Sequence, residues 1–377
     1  MAIYMRVIFT GGGTGGHLNP AIAIADAVKR IEPNSELLFV GTSRGIENKL
    51  VPAAGYKLEH VEIQGLRRSL SLSNIKTLWM TLTSPGKAKK IIREFKPDIA
   101  VGTGGFVCWP VIKAASEMGI PTALHESNAL PGVAVKMLER YVDIVFTNFE
   151  ESAKYLHHPE KVIRVGNPLR GDFSSLDYKT ARDKLGITGK YRTFILSCGG
   201  SMGAERINDE VLAFMRDYIA AHRDVLHIHA SGAIEYEAAK AKFAEYGLEK
   251  VPNAQLVEYI YDMPLKMAAA DLVINRAGAI TLSELALLGK PALIIPSPNV
   301  TDNHQYKNAK VLADAGAAVM LQESELAPGV FTSAVENIIG DRMKLASMQA
   351  NFNRFATKNA DLRIYEELKK LVNSHPV

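Results

Sequence analysis

Arg6-Val-Ile-Phe-Thr-Gly-Gly-Gly-Thr-Gly-Gly-His17 is a short apolar strand that runs straight into a glycine loop. A helix is expected to open near Pro20 and to run to Lys29. The same device returns in the second half as Thr193-Phe-Ile-Leu-Ser-Cys-Gly-Gly-Ser-Met-Gly-Ala204, with a helix from Ala204. Apolar runs at Leu37–Val40, Asp98–Val101, Pro121–Leu124 and Ile144–Phe146 continue the first pattern. Runs at Leu226–Ala230, Leu256–Val257, Leu272–Asn275 and Ala292–Pro296 continue the second. Continuous apolar strands alternating with helices imply parallel sheets covered on both faces. The fold class is therefore α/β, with two doubly wound, Rossmann-like domains. The pattern pauses after Val165-Gly-Asn-Pro-Leu169, where polar, turn-rich sequence runs to about Lys190. The expected division is 1–168, 169–350 and a C-terminal helical segment 351–377, whose amphipathic helix spans about Ala360–Val372. Ligands of such sheets bind beyond the carboxyl ends of the strands.

The bulk composition narrows the function. A chain of 377 residues is too long for one ordinary core. Apolar residues make up 47% and charged residues 22%, the balance of a globular protein. The net charge of +4 does not by itself call for a nucleic-acid partner. Cys108 and Cys198 stand far apart in apolar or glycine-rich settings and read as reduced packing residues. Met1-Ala-Ile-Tyr-Met-Arg-Val-Ile-Phe9 reads as a first strand, and no secretion signal is expected. No run reaches the roughly 18 apolar residues of a membrane helix. The protein is expected in the cytoplasm, able to sit on a membrane but not to cross it.

Gly11–Gly16 fits G-x-G-x-x-G, and its place between strand and helix strengthens the match. Glycine lets the backbone approach a ligand, and the helix start then offers N–H groups to an anion. A tight turn that binds nothing is the plainer alternative. A dinucleotide site needs an acid at the end of the second strand. That strand ends in Val40-Gly-Thr-Ser43, which counts against a nicotinamide oxidoreductase. The absence of G-x-x-x-x-G-K-[ST] disfavours a P-loop ATPase. His17 follows the first loop and is placed either to accept a proton from a hydroxyl or merely to pack or cap the helix. In Asn275-Arg-Ala-Gly-Ala-Ile-Thr-Leu-Ser-Glu284 a strand meets a small-residue turn and then a helix. Thr281 and Glu284 have capping-box spacing. The functional alternative is a carboxylate gripping vicinal ribose hydroxyls. Asp302-Asn-His-Gln305 lies in a polar loop suited to sugar hydroxyls. His227 and His229 on one strand, and the pair His157-His158, lack a convincing third ligand, so no metal site is assigned.

Taken together these motifs resemble the MurG family of bacterial cell-wall N-acetylglucosaminyltransferases. The matching pieces are Gly11–His17, His125-Glu-Ser-Asn128, Val165-Gly-Asn-Pro-Leu-Arg170, Gly199-Gly-Ser-Met-Gly-Ala204, Arg276–Glu284 and Asn303-His-Gln-Tyr306 with Asn308-Ala309. The resemblance implies a GT-B glycosyltransferase, its two domains facing across a cleft. It implies inverting transfer of N-acetylglucosamine from UDP-N-acetylglucosamine to the 4-hydroxyl of undecaprenyl-diphospho-N-acetylmuramoyl-pentapeptide. It places Thr14, Gly15 and Gly16 at the substrates, and Asn128, Arg170 and Ser201 on the donor. It places the Ile260 backbone on uracil, Ala279, Ile280, Thr281, Leu282, Ser283 and Glu284 along the nucleotide, and Gln305 on the donor sugar. Met202 and His304 depart from the family's usual glutamines. With no Asp-x-Asp in the chain, no metal or other cofactor is expected. Leaving-group charge would fall to the helix after Gly203, with Ser201 and Arg170. His17 is the expected base, with Glu126 as runner-up. A UDP-sugar epimerase of the same fold, or a nucleotide-sugar-binding protein without catalysis, are the alternatives.

The lipid acceptor implies an anionic membrane surface as partner. Gln64–Glu94 carries Arg67, Arg68, Lys76, Lys87, Lys89, Lys90 and Arg93, interleaved with Leu70, Leu72, Ile75, Leu78, Trp79, Met80 and Leu82. Each basic group near anionic lipid contributes ~1 kcal/mol. A solvated basic face beside a partly buried helix is the other reading.

Overall fold

The computed structural model describes residues 4–64, 73–171, 173, 176–200 and 203–375; of 73–82 it describes the backbone alone. The chain forms two compact units, Met1–Arg170 with Asn359–Val377, and Gly171–Lys358.

In the first unit the strands are β1 (Arg6–Thr10), β2 (Glu36–Gly41), β3 (Lys57–His60), β4 (Ile99–Gly102), β5 (Thr122–Glu126), β6 (Ile144–Thr147) and β7 (Val162–Arg164). Its helices are α1 (Gly15–Ile31), α2 (Glu47–Ala53), α3 (Ser73–Phe95), α4 (Cys108–Glu117) and α5 (Val133–Leu138). The sheet is parallel, in the order β3-β2-β1-β4-β5-β6-β7. In the second unit the strands are β8 (Thr193–Cys198), β9 (Val225–Ala230), β10 (Ala254–Val257), β11 (Leu272–Asn275), β12 (Ala292–Ile294) and β13 (Ala318–Met320). Its helices are α6 (Tyr178–Lys184), α7 (Glu205–Phe214), α8 (Tyr236–Glu245), α9 (Met263–Ala269), α10 (Ala279–Leu288), α11 (His304–Asp314), α12 (Val330–Ile339) and α13 (Arg342–Asn353). The second sheet, also parallel, repeats the winding as β10-β9-β8-β11-β12-β13. The winding reverses between β1 and β4, and again between β8 and β11. Ligands of such folds bind at these reversal points.

Central strands are buried on both faces. In β1, Val7 and Phe9 enter one core and Ile8 the other. In β8, Phe194 and Leu196 face one core and Ile195 the opposite one. α1 begins at Gly15, earlier than Pro20, which lies inside the helix. Proline there forfeits one backbone bond, to the residue four before it. The burial of Leu18, Ile22 and Ala25 against the sheet outweighs that loss. The last helix, α14 (Ala360–Ser374), returns to the first unit and packs on α1. Ile364 and Leu368 are fully buried there. Glu32, at the end of α1, accepts a hydrogen bond from Tyr365 Oη at 2.7 Å and pairs with Lys369. The same seam holds Arg30–Asp361 at 2.6 Å.

Candidate functional site

At the first reversal point two glycine loops meet. One follows β1 and the other, Gly102–Gly105, follows β4. Thr14 stands before α1 in extended conformation, and no side chain caps the first turn. No acid occupies that turn either, so its N–H groups and the helix dipole face outward. The partner loop is shaped around His17. Thr103 Oγ1 donates to the His17 carbonyl at 2.7 Å. Gly104 has a φ of +108°, and a Cβ built on it would stand 2.5 Å from His17 Nδ1 and 2.9 Å from Cε1. Only a glycine therefore lets the ring lie where it does. The near atoms are Nδ1, Cε1 and Cγ, which turns Nε2 away from Gly104. Gly105, with φ of +84°, lies against the carbonyl of Gly12. The sequence showed these glycines but not that they seat the histidine.

A buried carboxylate underlies the same loop. Glu47 opens α2 and is 1% exposed. Thr42 donates to its Oε1 from the backbone at 2.8 Å and from Oγ1 at 2.7 Å. Its Oε2 has no hydrogen-bond partner among the described residues. Gly12, Gly41 and Gly45 all press on this side chain, and a Cβ on Gly12 would sit 3.1 Å from both oxygens.

Glu126, at the end of β5, is buried and organises the loop after it. Oε1 accepts from the Asn128 backbone at 2.8 Å and from its amide at 3.0 Å, and Oε2 accepts from Gly132 N at 2.8 Å. Both oxygens are thus engaged in holding the loop. His125 gives its Nε2 hydrogen to the Gly166 carbonyl at 2.9 Å, and burial lowers its imidazole to about 4. Arg170 pairs with Asp26 of α1 at 3.2 Å, an exposed contact.

The second reversal point is likewise built from glycine turns and uncapped helix starts, although the first turn of α7 carries Glu205. Gly200 and Gly203 both take positive φ, and Gly203 N donates to Gly200 O at 3.0 Å. Ala204 precedes α7 and Gly278 precedes α10, and neither helix start has a side-chain cap. Two uncapped helix N-termini thus follow neighbouring strands β8 and β11. Ser201 and Met202 lie outside the described residues. Glu284 is the sixth residue of α10 and not its third, so register removes the capping-box reading. Burial pushes its carboxyl up to about 7. Asn275, fully buried at the end of β11, has no hydrogen-bond partner for either side-chain polar atom among the described residues.

The remaining expected residues divide by exposure. Leu282 and Ala279 bury their side chains in the core, so only their backbones can meet a ligand. Ile280, Thr281 and Ser283 are half-buried on α10, and Ser283 Oγ donates to the Ala279 carbonyl. Ile260 is buried in the core, and its sequence neighbours Tyr259 and Tyr261 expose their rings. Gln305 uses Oε1 to accept from Ser297 N at 2.9 Å, so its amide hydrogens are what it can offer a sugar. Asn308 ties α11 to this end by donating to the Ala277 carbonyl. Arg276 pairs with Glu323 and donates to the Ile295 carbonyl at 3.2 Å, a scaffold role.

The glycosyltransferase family 28 N-terminal domain matches residues 7–147, and the family 28 C-terminal domain matches residues 194–364. A relative from Acetivibrio thermocellus is 42% identical over 373 residues, 98% of this chain and 99% of its own. It is named UDP-N-acetylglucosamine–N-acetylmuramyl-(pentapeptide) pyrophosphoryl-undecaprenol N-acetylglucosamine transferase. Among solved structures, Acinetobacter baumannii MurG superposes with a TM-score of 0.78 at 26% identity, covering 97% of this chain and 99% of that one. A Neisseria meningitidis UDP-GlcNAc 2-epimerase bound to UDP-GlcNAc superposes at 0.67 with 16% identity, covering 98% and 100%; that likeness speaks for the fold alone.

Proposed function

This chain belongs to the MurG family within glycosyltransferase family 28, and on that premise we infer that it transfers N-acetylglucosamine from UDP-N-acetylglucosamine to undecaprenyl-diphospho-N-acetylmuramoyl-pentapeptide. The acceptor is the 4-hydroxyl of the muramoyl sugar, and the product is the lipid-linked disaccharide of peptidoglycan. The observation that carries this reading is the pair of uncapped helix starts at the β8–β11 reversal point, with Glu284 nearby on α10. That geometry suits a nucleoside diphosphate: N–H groups for the phosphates and a carboxylate for the ribose hydroxyls.

The roles follow from the chemistry of an inverting displacement. The acceptor oxygen bonds to the anomeric carbon as the bond from that carbon to the diphosphate oxygen breaks. UDP leaves with the electron pair. The hydroxyl proton goes to His17, whose Nε2 is turned away from the Gly104 seat. The N–H groups at the start of α7, with Ser201, meet the charge growing on the diphosphate. Preorganised donors of this kind are each worth roughly 3–4 kcal/mol in an acyl-transfer site. Arg170 is a weaker candidate for that task, because Asp26 holds it, although an exposed pair yields readily. Thr14, Gly15 and Gly16 present N–H groups to the acceptor. Asn128, held by Glu126, and the Gln305 amide are assigned to the donor.

The lipid-linked acceptor places the enzyme on an anionic membrane surface, facing the cytoplasm. No helix among the described residues is long and apolar enough to cross a membrane. Arg67, Arg68, Leu70 and Leu72 lie outside the described residues, as do the side chains of Ile75, Lys76, Leu78, Trp79, Met80 and Leu82. Lys87, Lys89 and Lys90 pair with Glu62, Glu117 and Glu94; the Lys87 and Lys90 pairs are exposed and yield readily to anionic lipid. Sedimentation with vesicles tests it: binding to anionic but not neutral lipid supports the surface role, and equal binding opposes it. For the activity itself, label from UDP-N-acetylglucosamine should pass to the lipid-linked acceptor and not to a water-soluble sugar. An isomerised UDP-sugar formed without acceptor would instead favour the epimerase.

A further inference from the structure

Beneath the loop that follows β8 lies a chain of buried polar groups that the reaction does not use. Ser197 of β8, His227 and His229 of β9, and Ser231 just beyond it are fully buried, and Asn208 of α7 nearly so. Ser197 Oγ stands 2.7 Å from His227 Nε2 and 2.8 Å from His229 Nδ1. His229 Nε2 stands 2.9 Å from Asn208 Oδ1, and Asn208 Nδ2 donates to the Ser231 carbonyl at 3.1 Å. Burial lowers the His229 imidazole to about 4 and that of His227 well below its ordinary range, so both rings are neutral.

Hydrogen-bond logic then fixes every proton in the chain. A carbonyl only accepts, so the Asn208 amide nitrogen must face Ser231 and its oxygen must face His229. His229 therefore carries its hydrogen on Nε2 and accepts from the Ser197 hydroxyl at Nδ1. Ser197 in turn accepts from His227 Nε2. The chain ends at His227 Nδ1, which has no partner among the described residues, with the Phe214 ring edge-on at 5.7 Å. The other end is the informative one. The Ser231 carbonyl that Asn208 grips is the atom against which Gly203 rests, at a φ of +93°. Gly203 leads into Ala204 and the start of α7.

We propose that Ser197, His227, His229 and Asn208 are positioning residues that clamp the start of α7 and Gly203 onto Ser231, and so fix where Gly203 and the first N–H groups of α7 stand toward the donor diphosphate. This rests on the reading that the loop holds that diphosphate. A buried polar chain satisfied in one direction specifies a single arrangement, and a broken one leaves orphaned groups that the structure must move to satisfy.

The test uses UDP binding by calorimetry, with donor and acceptor KM, on the full-length enzyme. His229→Leu removes the donor to Asn208, and Asn208→Asp faces the Ser231 carbonyl with a second acceptor. Each should weaken UDP binding and raise the donor KM by about tenfold, the scale of one orphaned buried group. The acceptor KM should stay at its native value. His229→Gln, which restores an N–H donor, should recover most of the loss. Gly203→Ala disturbs the loop directly and serves as reference. If it weakens UDP binding while folded His229→Leu or Asn208→Asp protein binds UDP normally, the clamp is refuted. If His229→Leu does not fold, Asn208→Asp decides. If Gly203→Ala also leaves UDP binding unchanged, the diphosphate reading itself fails.

Discussion

Replacing Gly104 by alanine tests the catalytic assignment through a residue that carries no chemistry of its own. A Cβ at Gly104 would lie 2.5 Å from His17 Nδ1, 2.9 Å from Cε1 and 3.2 Å from Cγ. Carbon and nitrogen atoms in contact sit about 3.5 Å apart, so the ring must retreat by about 1 Å. A displacement of about 1 Å at a reacting group costs on the order of 100-fold in rate. A second cost is backbone strain, since φ of +108° suits glycine alone. Such strain is worth about 1–3 kcal/mol. The two effects separate with a control. Gly119→Ala in the same unit meets a φ of +73° but has nothing within 4 Å of the new Cβ. Steady-state transfer kinetics and thermal melting of both variants give the answer. Gly104→Ala should lose about 100-fold in kcat with UDP affinity unchanged. Gly119→Ala should melt a few degrees lower and turn over normally. Native kcat in folded Gly104→Ala, or an equal loss in Gly119→Ala, would refute the seating of His17.

Three further outcomes follow from the same geometry. His17→Ala should lower kcat far more than it raises the KM for UDP-N-acetylglucosamine; unchanged turnover would remove it as the base. Burial holds the Glu284 carboxyl up at about 7, so in the free enzyme it is ionised only above that pH. If the ionised form grips the ribose, UDP affinity should rise with pH through 7 and fall about tenfold by pH 6, one unit below the pKa. Glu284→Gln should bind weakly and without this pH dependence in calorimetry. The sign for folding is opposite: the raised pKa means stability is lost as pH climbs from the carboxyl's ordinary range through 7. In the first unit, Leu368→Ala removes a fully buried side chain from the α1–α14 seam. It should cost roughly 2–5 kcal/mol in denaturant unfolding without changing UDP affinity.

The central strands were legible in the sequence because their burial on both faces leaves unbroken apolar runs. β1 is Arg6–Thr10, the apolar run directly ahead of the first glycine loop. The edge strands β3, β7 and β13 escaped notice because they are short and partly exposed, and Lys57-Leu-Glu-His60 has no apolar run to read. The start of α1 was misplaced because Thr-Gly-Gly-His reads as loop by propensity, whereas the packing of Leu18 and Ile22 decides the outcome. Glycine clusters were visible at both reversal points, but their use was not. Gly104 and His17 stand far apart in sequence, and only the β1–β4 pairing brings their loops together. Glu47 and Asn208 were missed for a similar reason: an isolated acid or amide does not announce what it touches. His227 and His229 were seen on one strand, but their meaning required Ser197 from β8 beside them.

Inverting transfer onto a lipid-linked muramoyl sugar leaves its signature in the linkage of the product. The enzyme should be given UDP-N-acetylglucosamine and the undecaprenyl-linked acceptor, and the extracted lipid examined by nuclear magnetic resonance. One β-linked N-acetylglucosamine should appear on the muramoyl 4-hydroxyl for each UDP released. An α linkage, free N-acetylglucosamine, or an isomerised UDP-sugar with the lipid untouched would contradict it.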